Sequence, residues 1–200
     1  ENIAFARVGS DDPGRGICLT MDDEGSSELA TQYLLDLGHR HIGFITGGEH
    51  YSLSARRTEG WRRTMAAAGI DPIPYLQAGN FGYESGLTAA RNLLDGPKPI
   101  TAILASSGQM ALACMHVAEE RGLKVPEQLS VISFDNAPVV HFTQPQLTAI
   151  DQAIAPTIAS AVDHIIAATR GEARPKQAVH LPAKLVIRGS TAAPRQIGSG

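Results

Sequence analysis

The side chains best suited to hold a small molecule follow apolar runs of the sequence, at the points where those runs end. They supply a guanidinium, an aromatic ring, hydroxyls and a carboxylate, from Arg57, Phe81, Ser106, Ser107 and Asp135. A polyhydroxylated ligand suits this combination, since charged groups form strong hydrogen bonds with hydroxyls and an aromatic ring covers an apolar ring face. The residue types therefore indicate binding of a small polar molecule.

Motifs for catalysis and for metal or nucleotide binding are largely missing. Gly47-Gly48 is similar to a phosphate-binding turn, but the later glycines of a dinucleotide fingerprint and a Walker lysine are lacking. His39 and His41 do not form a metal-binding spacing, and we interpret both as exposed imidazoles flanking a strand. No G-x-S-x-G motif of a serine hydrolase occurs. We therefore expect no catalytic residues, no metal site and no cofactor.

The elements that must position these residues alternate between helix and strand. Apolar residues at helical spacing predict a helix at 24–37, and the apolar run at 42–46 predicts a buried strand. Further helices are predicted at 54–68, 83–94, 109–121 and 154–168, and further strands at 3–6, 17–21, 73–78, 101–105, 129–134 and within 179–188. Strands separated by helices predict an α/β fold with a parallel sheet, which binds ligands at the carboxyl ends of its strands.

Composition restricts the class of protein. A hydrophobic content of 43% with 18% charged residues excludes a disordered chain. Seventeen basic and twenty acidic residues give a net charge of -3, so bulk charge does not favour nucleic-acid binding by these residues. No apolar run reaches the roughly 18 residues of a membrane span. Cys18 and Cys114 are expected to be reduced thiols, which fits a cytoplasmic protein.

Longer motifs occur in unbroken order from about residue 3 to 192. They are LGHRHIGFI at 37–45, SARRTEGW at 54–61, QMALA at 109–113, the run into Phe-Asp-Asn at 123–136, PQLTAI at 145–150 and LVIRGST at 185–191. By these motifs the chain resembles the LacI/GalR family of bacterial transcription regulators. The resemblance implies a periplasmic-binding-protein-like fold of two doubly wound parallel-sheet lobes, with an effector bound in the cleft between them.

The resemblance also implies how the chain is divided. Residues 1–40 and 150–176 are expected to form part of an N-terminal lobe, whose first strands and helices are absent from this chain. Residues 41–149 and 177–192 are expected to form the C-terminal lobe, followed by a tail at 193–200. The helix-turn-helix headpiece that contacts operator DNA in the family is also absent from this chain.

The function implied by the resemblance is effector sensing by a DNA-binding regulator, usually a repressor, that acts as a homodimer without a membrane partner. The effector contacts carried over from the family or expected at the same sheet edge are Asp23, Arg57, Phe81, Ser107, Asp135 and Gln152. Removal of Arg57 or Asp135 is expected to weaken effector binding and to leave the fold intact, because neither residue lies in an apolar face.

One departure from the family pattern affects the ligand. Most members have Asn-Asp where this chain has Ser107-Gly108, so several hydrogen-bonding atoms are missing. A sugar or sugar derivative remains the leading effector, and a smaller, less hydroxylated or anionic one is the alternative. Two other functions share the fold class: a periplasmic solute-binding protein of a sugar transporter, and an α/β enzyme that would need a catalytic base and a phosphate or oxyanion loop.

Overall fold

The computed structural model describes residues 3–9, 16–173, 175 and 177–195. The strands are β1 Ala6–Val8, β2 Ile17–Met21, β3 Ile42–Ile45, β4 Leu76–Gln77, β5 Ala102–Ala105, β6 Ser130–Phe134, β7 Thr148–Asp151, β8 Val179–Leu181 and β9 Lys184–Val186. The helices are α1 Asp23–Asp36, α2 Ser52–Ala67, α3 Tyr83–Leu94, α4 Gly108–Glu120 and α5 Ile154–Thr169. Of the predicted tail, residues 196–200 lie outside the described residues.

The strands form two sheets. One has three strands in the order β1-β2-β8, and both of its pairings are parallel. The other has six strands in the order β4-β3-β5-β6-β7-β9, and the pairings from β4 to β7 are parallel. The predicted α/β fold with parallel sheets is confirmed. Since β3, β5 and β6 are neighbours, the loops after their carboxyl ends meet at one edge of the larger sheet.

The chain forms two compact units. Unit 1 comprises Glu1–Asp22 and Gln152–Lys184, and unit 2 comprises Asp23–Asp151 and Leu185–Gly200. These divisions differ from the boundaries that the resemblance implies. Helix α1 belongs to unit 2 because it packs along α2, and β8 belongs to unit 1 because it pairs with β2.

The core of unit 2 lies on both faces of its buried central strands. Every residue of β3, β5 and β6 is buried, as expected for parallel strands covered by helices. On one face, Trp61 of α2 stacks on Phe44 of β3 with ring centroids 5.4 Å apart. Helices α1 and α2 approach closely at Gly60, where a Cβ atom would lie 2.2 Å from the carbonyl oxygen of Glu24. Gly60 therefore permits the contact between α1 and α2.

In unit 1, one face of α5 packs on the small sheet. Ala161 contacts a cluster with Ile17 and Leu19 of β2. Another face of α5 carries an apolar stripe that is 42–56% exposed, formed by Ile154, Ile158, Val162 and Ile166. No helix among the described residues has the length and apolar character needed to cross a membrane. Cys18 and Cys114 are both buried, and neither forms a disulfide.

Three details of the strand prediction were wrong. The first strand, predicted at 3–6, begins at Ala6, because Ala6–Val8 pairs with Ile17–Leu19 of β2 while Ile3 is 73% exposed. Residues 73–78 form a 3₁₀ turn at Ile73–Tyr75 followed by the two-residue β4, because the prolines at 72 and 74 favour a turn and Pro74 cannot donate a ladder hydrogen bond. Strand β7 was missed, because its sequence Thr-Ala-Ile-Asp contains no continuous apolar run. The deviations at β4 and β7 concern short strands with little hydrophobic signal.

The interpretation of His39 as an exposed residue was also wrong. His39 is 1% exposed, and its ring nitrogens lie 2.9 Å from Thr101 Oγ1 and 2.9 Å from the carbonyl oxygen of Ala192. It thus joins the turn after α1 to the chain before β5 and to the segment after β9. Burial lowers the pKa of His39 below its ordinary value of 6.5, although the hydrogen bond to Ala192 opposes this shift.

This shift predicts a pH-dependent stability. Because the unfolded chain binds a proton at His39 more readily than the folded one, the free energy of unfolding is expected to fall as pH is lowered through about 6.5. Urea unfolding at about pH 8 and about pH 5.5 measures this loss. His39→Gln is expected to make the difference between the two pH values smaller, whereas the exposed His50→Gln leaves it unchanged. An unaltered difference in His39→Gln would refute the assignment.

Candidate functional site

A cavity of about 700 Å³ lies in unit 2 at the carboxyl edge of β3, β5 and β6. Its lining comprises Tyr51, Leu53, Arg57, Asn80, Phe81, Gly82, Ser106, Ser107, Gly108, Gln109, Asp135, Ala137 and Val139. Four of the six predicted contact residues are among them: Arg57, Phe81, Ser107 and Asp135. The volume falls in the range of about 300–1,000 Å³ that is usual for small-molecule sites.

Arg57 is fixed from three sides. Its Nε donates to Asp23 Oδ1 at 2.8 Å, and its Nη1 donates to the carbonyl oxygen of Ser106 at 2.9 Å. Its guanidinium carbon lies 4.3 Å from the centroid of the Phe134 ring, in a cation–π contact. Only 4% of Arg57 is exposed. The guanidinium is therefore held in one orientation before any ligand arrives.

Asp23 is a supporting residue for this arginine. It is the first residue of α1 and is 3% exposed, and its second carboxylate oxygen accepts a hydrogen bond from Arg56 at 3.1 Å. It is not one of the residues that line the cavity. The structure thus places Asp23 behind Arg57, where it fixes the guanidinium. Contrary to the position expected from the sequence, Arg57 is buried, so its removal is expected to cost stability, because it takes away the main partner of a buried carboxylate.

Asp135 presents its carboxylate directly after β6. Its backbone has a φ of 81°, a left-handed conformation that is uncommon for a residue other than glycine. The backbone N–H of Gly108 lies 3.5 Å from Oδ2, at the start of α4. Burial raises the pKa of Asp135 above its ordinary value, although the positive charge of Arg57 and the Gly108 N–H oppose the shift. A ligand that donates a hydrogen bond to this carboxylate would offset the loss of solvation.

A second ring of contacts holds the Asp135 turn in place. Arg188 donates from Nη2 to Asn136 Oδ1 at 2.6 Å and from Nη1 to the carbonyl oxygen of Leu147 at 2.7 Å. Asn136 in turn donates to Asp151 Oδ2 at 3.3 Å. Asn136 therefore anchors the turn, and its side-chain amide is committed to partners inside unit 2.

Phe81 is positioned by an unusual backbone and by a glycine. Its φ is 70°, and its ring makes an edge contact with Tyr51 at a centroid distance of 5.6 Å. A Cβ atom on Gly47 would lie 1.9 Å from Cζ of the Phe81 ring. The glycine turn after β3, which resembled a phosphate loop, thus makes room for an aromatic ring.

This contact predicts that Gly47→Ala displaces the ring. Carbon atoms in contact lie about 3.5–4.0 Å apart, so the ring must move by at least about 1.6 Å and lose its present contact with Tyr51. A crystal structure of the variant measures the displacement. The Gly47→Ala/Phe81→Leu double variant serves as the control, since it lacks the ring that clashes. A Phe81 ring that keeps its place in Gly47→Ala would contradict the prediction.

Ser107 has a structural task at the cavity wall. Its hydroxyl donates to the carbonyl oxygen of Phe81 at 2.8 Å and accepts the N–H of Met110 at 3.2 Å as the N-cap of α4. The neighbouring Ser106 also lines the cavity, but its Oγ is buried and has no hydrogen-bond partner within the part of the chain described. Ser106 stands beside Ser107 in the sequence, and no local signal shows which of the two hydroxyls caps α4.

Gln152 belongs to unit 1, at the start of the segment that leads into α5. It is 7% exposed, and its Nε2 has no hydrogen-bond partner among the described residues. Its role as an effector contact stays a prediction. Within the described ranges, no group of three or more His, Cys, Asp or Glu side chains could hold a metal ion.

Comparison with known families decides the classification. The model of the periplasmic binding protein-like domain matches residues 31–191, which is most of the chain. The chain belongs to this family. Its resemblance to LacI/GalR regulators is confirmed by its relatives, which include the HTH-type transcriptional repressor CytR of Escherichia coli strain K12. CytR is 37% identical over 165 residues, covering 82% of this chain and 48% of the repressor.

Solved structures of the family have the same fold. A transcriptional regulator CelR–cellobiose complex has a TM-score of 0.79 at 28% identity, covering 95% of this chain and 54% of CelR. A dimeric Lac repressor has a TM-score of 0.82 at 28% identity, covering 90% of this chain and 64% of the repressor. The chain thus spans about half the length of the curated repressor that it matches.

Proposed function

We propose that this chain is the effector-sensing part of a DNA-binding transcription regulator, a repressor that responds to a sugar or a sugar derivative. The observation that carries the proposal is the cavity in unit 2, where a fixed guanidinium, a desolvated carboxylate and an aromatic ring share one lining. Similarity to a repressor and to a regulator in complex with cellobiose supports this function over transport.

The proposal includes the partners of the intact protein. Operator DNA is bound by a headpiece outside this chain, in the cytoplasm, and the regulator acts as a homodimer. Similarity to a dimeric repressor supports the homodimer, as does Phe142, which is 83% exposed after the 3₁₀ turn Pro138–His141. The net charge of -3 supports DNA binding by a separate headpiece, since a chain without excess positive charge gains little from phosphate contacts.

Regulation follows from unequal effector affinity. If the effector binds the DNA-bound and free arrangements of the regulator differently, DNA affinity changes by the same factor as effector affinity. No bond is made or broken in this scheme. The rival function as an enzyme is not favoured, because the relatives are transcription regulators.

The role of Asp135 gives the first test. A library of mono- and disaccharides is screened against the intact protein by thermal shift, and affinities are measured by calorimetry. Asp135→Ala is expected to weaken binding of each hit about 10- to 150-fold, since a hydrogen bond to a charged group contributes about 1.5–3 kcal/mol. The control is Asp71→Ala, a change of an exposed aspartate near the turn before β4. A hit that binds Asp135→Ala as tightly as the parent would refute the site.

A further inference from the structure

The passages of the chain between its two compact units lie next to charged side chains of unit 2. The chain passes from one unit to the other after Asp22, after Asp151 and after Lys184. Asp151 is the last residue of unit 2 before the second passage, and Arg188 is the fourth residue after the third. Both side chains are half-buried. Whatever displaces either of them therefore also displaces backbone close to a passage.

Asn136 joins these two charged side chains. Its Oδ1 accepts a hydrogen bond from Arg188 Nη2 at 2.6 Å, and its Nδ2 donates to Asp151 Oδ2 at 3.3 Å. A carboxamide suits this position because it accepts from a cation and donates to an anion at the same time. Asn136 directly follows Asp135, which lines the cavity. One amide thus connects the cavity lining to both passages.

Strand β7 completes a closed ring of bonded groups. Arg188 donates from Nη1 to the carbonyl oxygen of Leu147 at 2.7 Å, and its backbone N–H donates to Thr148 Oγ1 at 3.0 Å. Thr148 is the first residue of β7, and Asp151 is the last. The ring runs from Asn136 to Arg188, along β7 and back through Asp151. Because contiguous networks of this kind carry coupling between distant positions, a shift of the turn after β6 strains a bond near a passage.

The turn that carries Asp135 is able to respond to a ligand. The backbone N–H of Gly108 lies 3.5 Å from Asp135 Oδ2, which exceeds the usual range of about 2.7–3.2 Å, so this bond holds the carboxylate weakly. The φ of 81° at Asp135 costs energy in a residue that has a side chain. A ligand that draws the carboxylate toward itself therefore acts on a strained turn, and Asn136 is the next residue along the chain.

We propose that Asn136 is the positioning residue through which effector binding at Asp135 changes DNA binding. The inference rests on the proposed function and concerns its regulation, since it names the route from the cavity to the two passages. Asn136 is not among the residues that line the cavity, and it acts through Asp151 and Arg188. By linkage, effector and operator DNA change each other's affinity by the same factor. The ratio of the effector dissociation constants with and without operator DNA therefore measures the coupling.

Calorimetry on the intact protein measures this ratio with the tightest-binding member of the mono- and disaccharide library. The dissociation constant is determined for the free protein and for the protein saturated with operator DNA. The two constants are expected to differ by about fivefold or more in the parent and by less than about twofold in Asn136→Ala. Asn92→Ala is the matched control, since Asn92 also forms an amide hydrogen bond within unit 2, to Gln77 at 3.2 Å, and it is expected to keep the difference.

Exchange of the two bonded groups separates the hydrogen bond from simple loss of a side chain. Asn136→Asp keeps an acceptor for Arg188 and places a second carboxylate beside Asp151, so the difference is expected to fall below about twofold. The double variant Asn136→Asp/Asp151→Asn restores one donor and one acceptor with their places exchanged, and it is expected to recover at least half of the parent's difference. Both variants preserve side-chain size, so they decide the matter even if Asn136→Ala does not fold.

The outcomes separate this inference from the proposed function. A side chain that merely anchors the turn would weaken effector binding equally with and without DNA, so an unchanged ratio in Asn136→Ala overturns the coupling role and leaves an effector sensor in place. A double variant that stays as low as Asn136→Asp overturns the connection through Asp151. Equal constants in the parent, or no saccharide that binds, refute the proposed function and the coupling role with it. Loss in Asn136→Ala with recovery in the double variant supports both.

Discussion

Replacing Arg57 by alanine is expected to lower the free energy of unfolding by about 3 kcal/mol and to abolish effector binding. Arg57 and Asp23 form an ion pair at 2.8 Å in which the side chains are 5% and 3% exposed. Breaking a buried pair by removing one partner costs about 3–5 kcal/mol, because the other charge stays buried. The lower end of that range applies here, because Arg56 still donates to Asp23.

Urea unfolding measures the stability loss, and two variants make the result specific. Arg62→Ala removes an exposed arginine of the same helix that pairs with Glu59, and it is expected to change stability little. The double variant Asp23→Asn/Arg57→Gln removes both charges, and it is expected to be more stable than Arg57→Ala. If Arg57→Ala is as stable as Arg62→Ala, the buried ion pair does not support the site as described.

Replacing Trp61 by alanine is expected to lower the free energy of unfolding by about 3–5 kcal/mol. Trp61 is 1% exposed and stacks on Phe44, so the change opens a large cavity between α2 and β3. The same helix carries Arg57, and effector binding is therefore expected to weaken as well.

The conservative variant Trp61→Phe separates packing from hydrogen bonding. The indole Nε1 is buried without a hydrogen-bond partner among the residues described, so phenylalanine keeps most of the packing and removes an unsatisfied donor. Its loss of stability, measured by urea unfolding, is expected to be less than half that of Trp61→Ala. Equal losses in the two variants would contradict the packing explanation.

Much of unit 2 could be predicted from the sequence because its signals are local. The apolar runs of β3 and β5 and the helical spacing of α3 fix those elements within about a residue. The carboxyl ends of parallel strands then bring Arg57 and Asp135 to one edge without further information. The family model, which matches residues 31–191, covers these same elements.

The roles of individual side chains at the site depend on partners that are distant in the sequence. Asp23 and Arg57 are 34 residues apart, and Asn136 and Arg188 are 52 residues apart. No local pattern shows that Asp23 supports Arg57, or that Asn136 holds a turn. Ser106 and Ser107 are alike in sequence, but only the Ser107 hydroxyl donates to the carbonyl oxygen of Phe81. The position of that oxygen follows from the left-handed backbone of Phe81.

The central claim is that ligand binding in the unit 2 cavity changes DNA binding by the intact regulator. Fluorescence anisotropy with labelled operator DNA, selected from a random pool with the intact protein, tests it most directly. The best compound from the screens is expected to change DNA affinity at least fivefold in the parent and less than twofold in Asp135→Ala, at equal concentrations. An unchanged DNA affinity in the parent, or an equal change in parent and Asp135→Ala, would contradict the account.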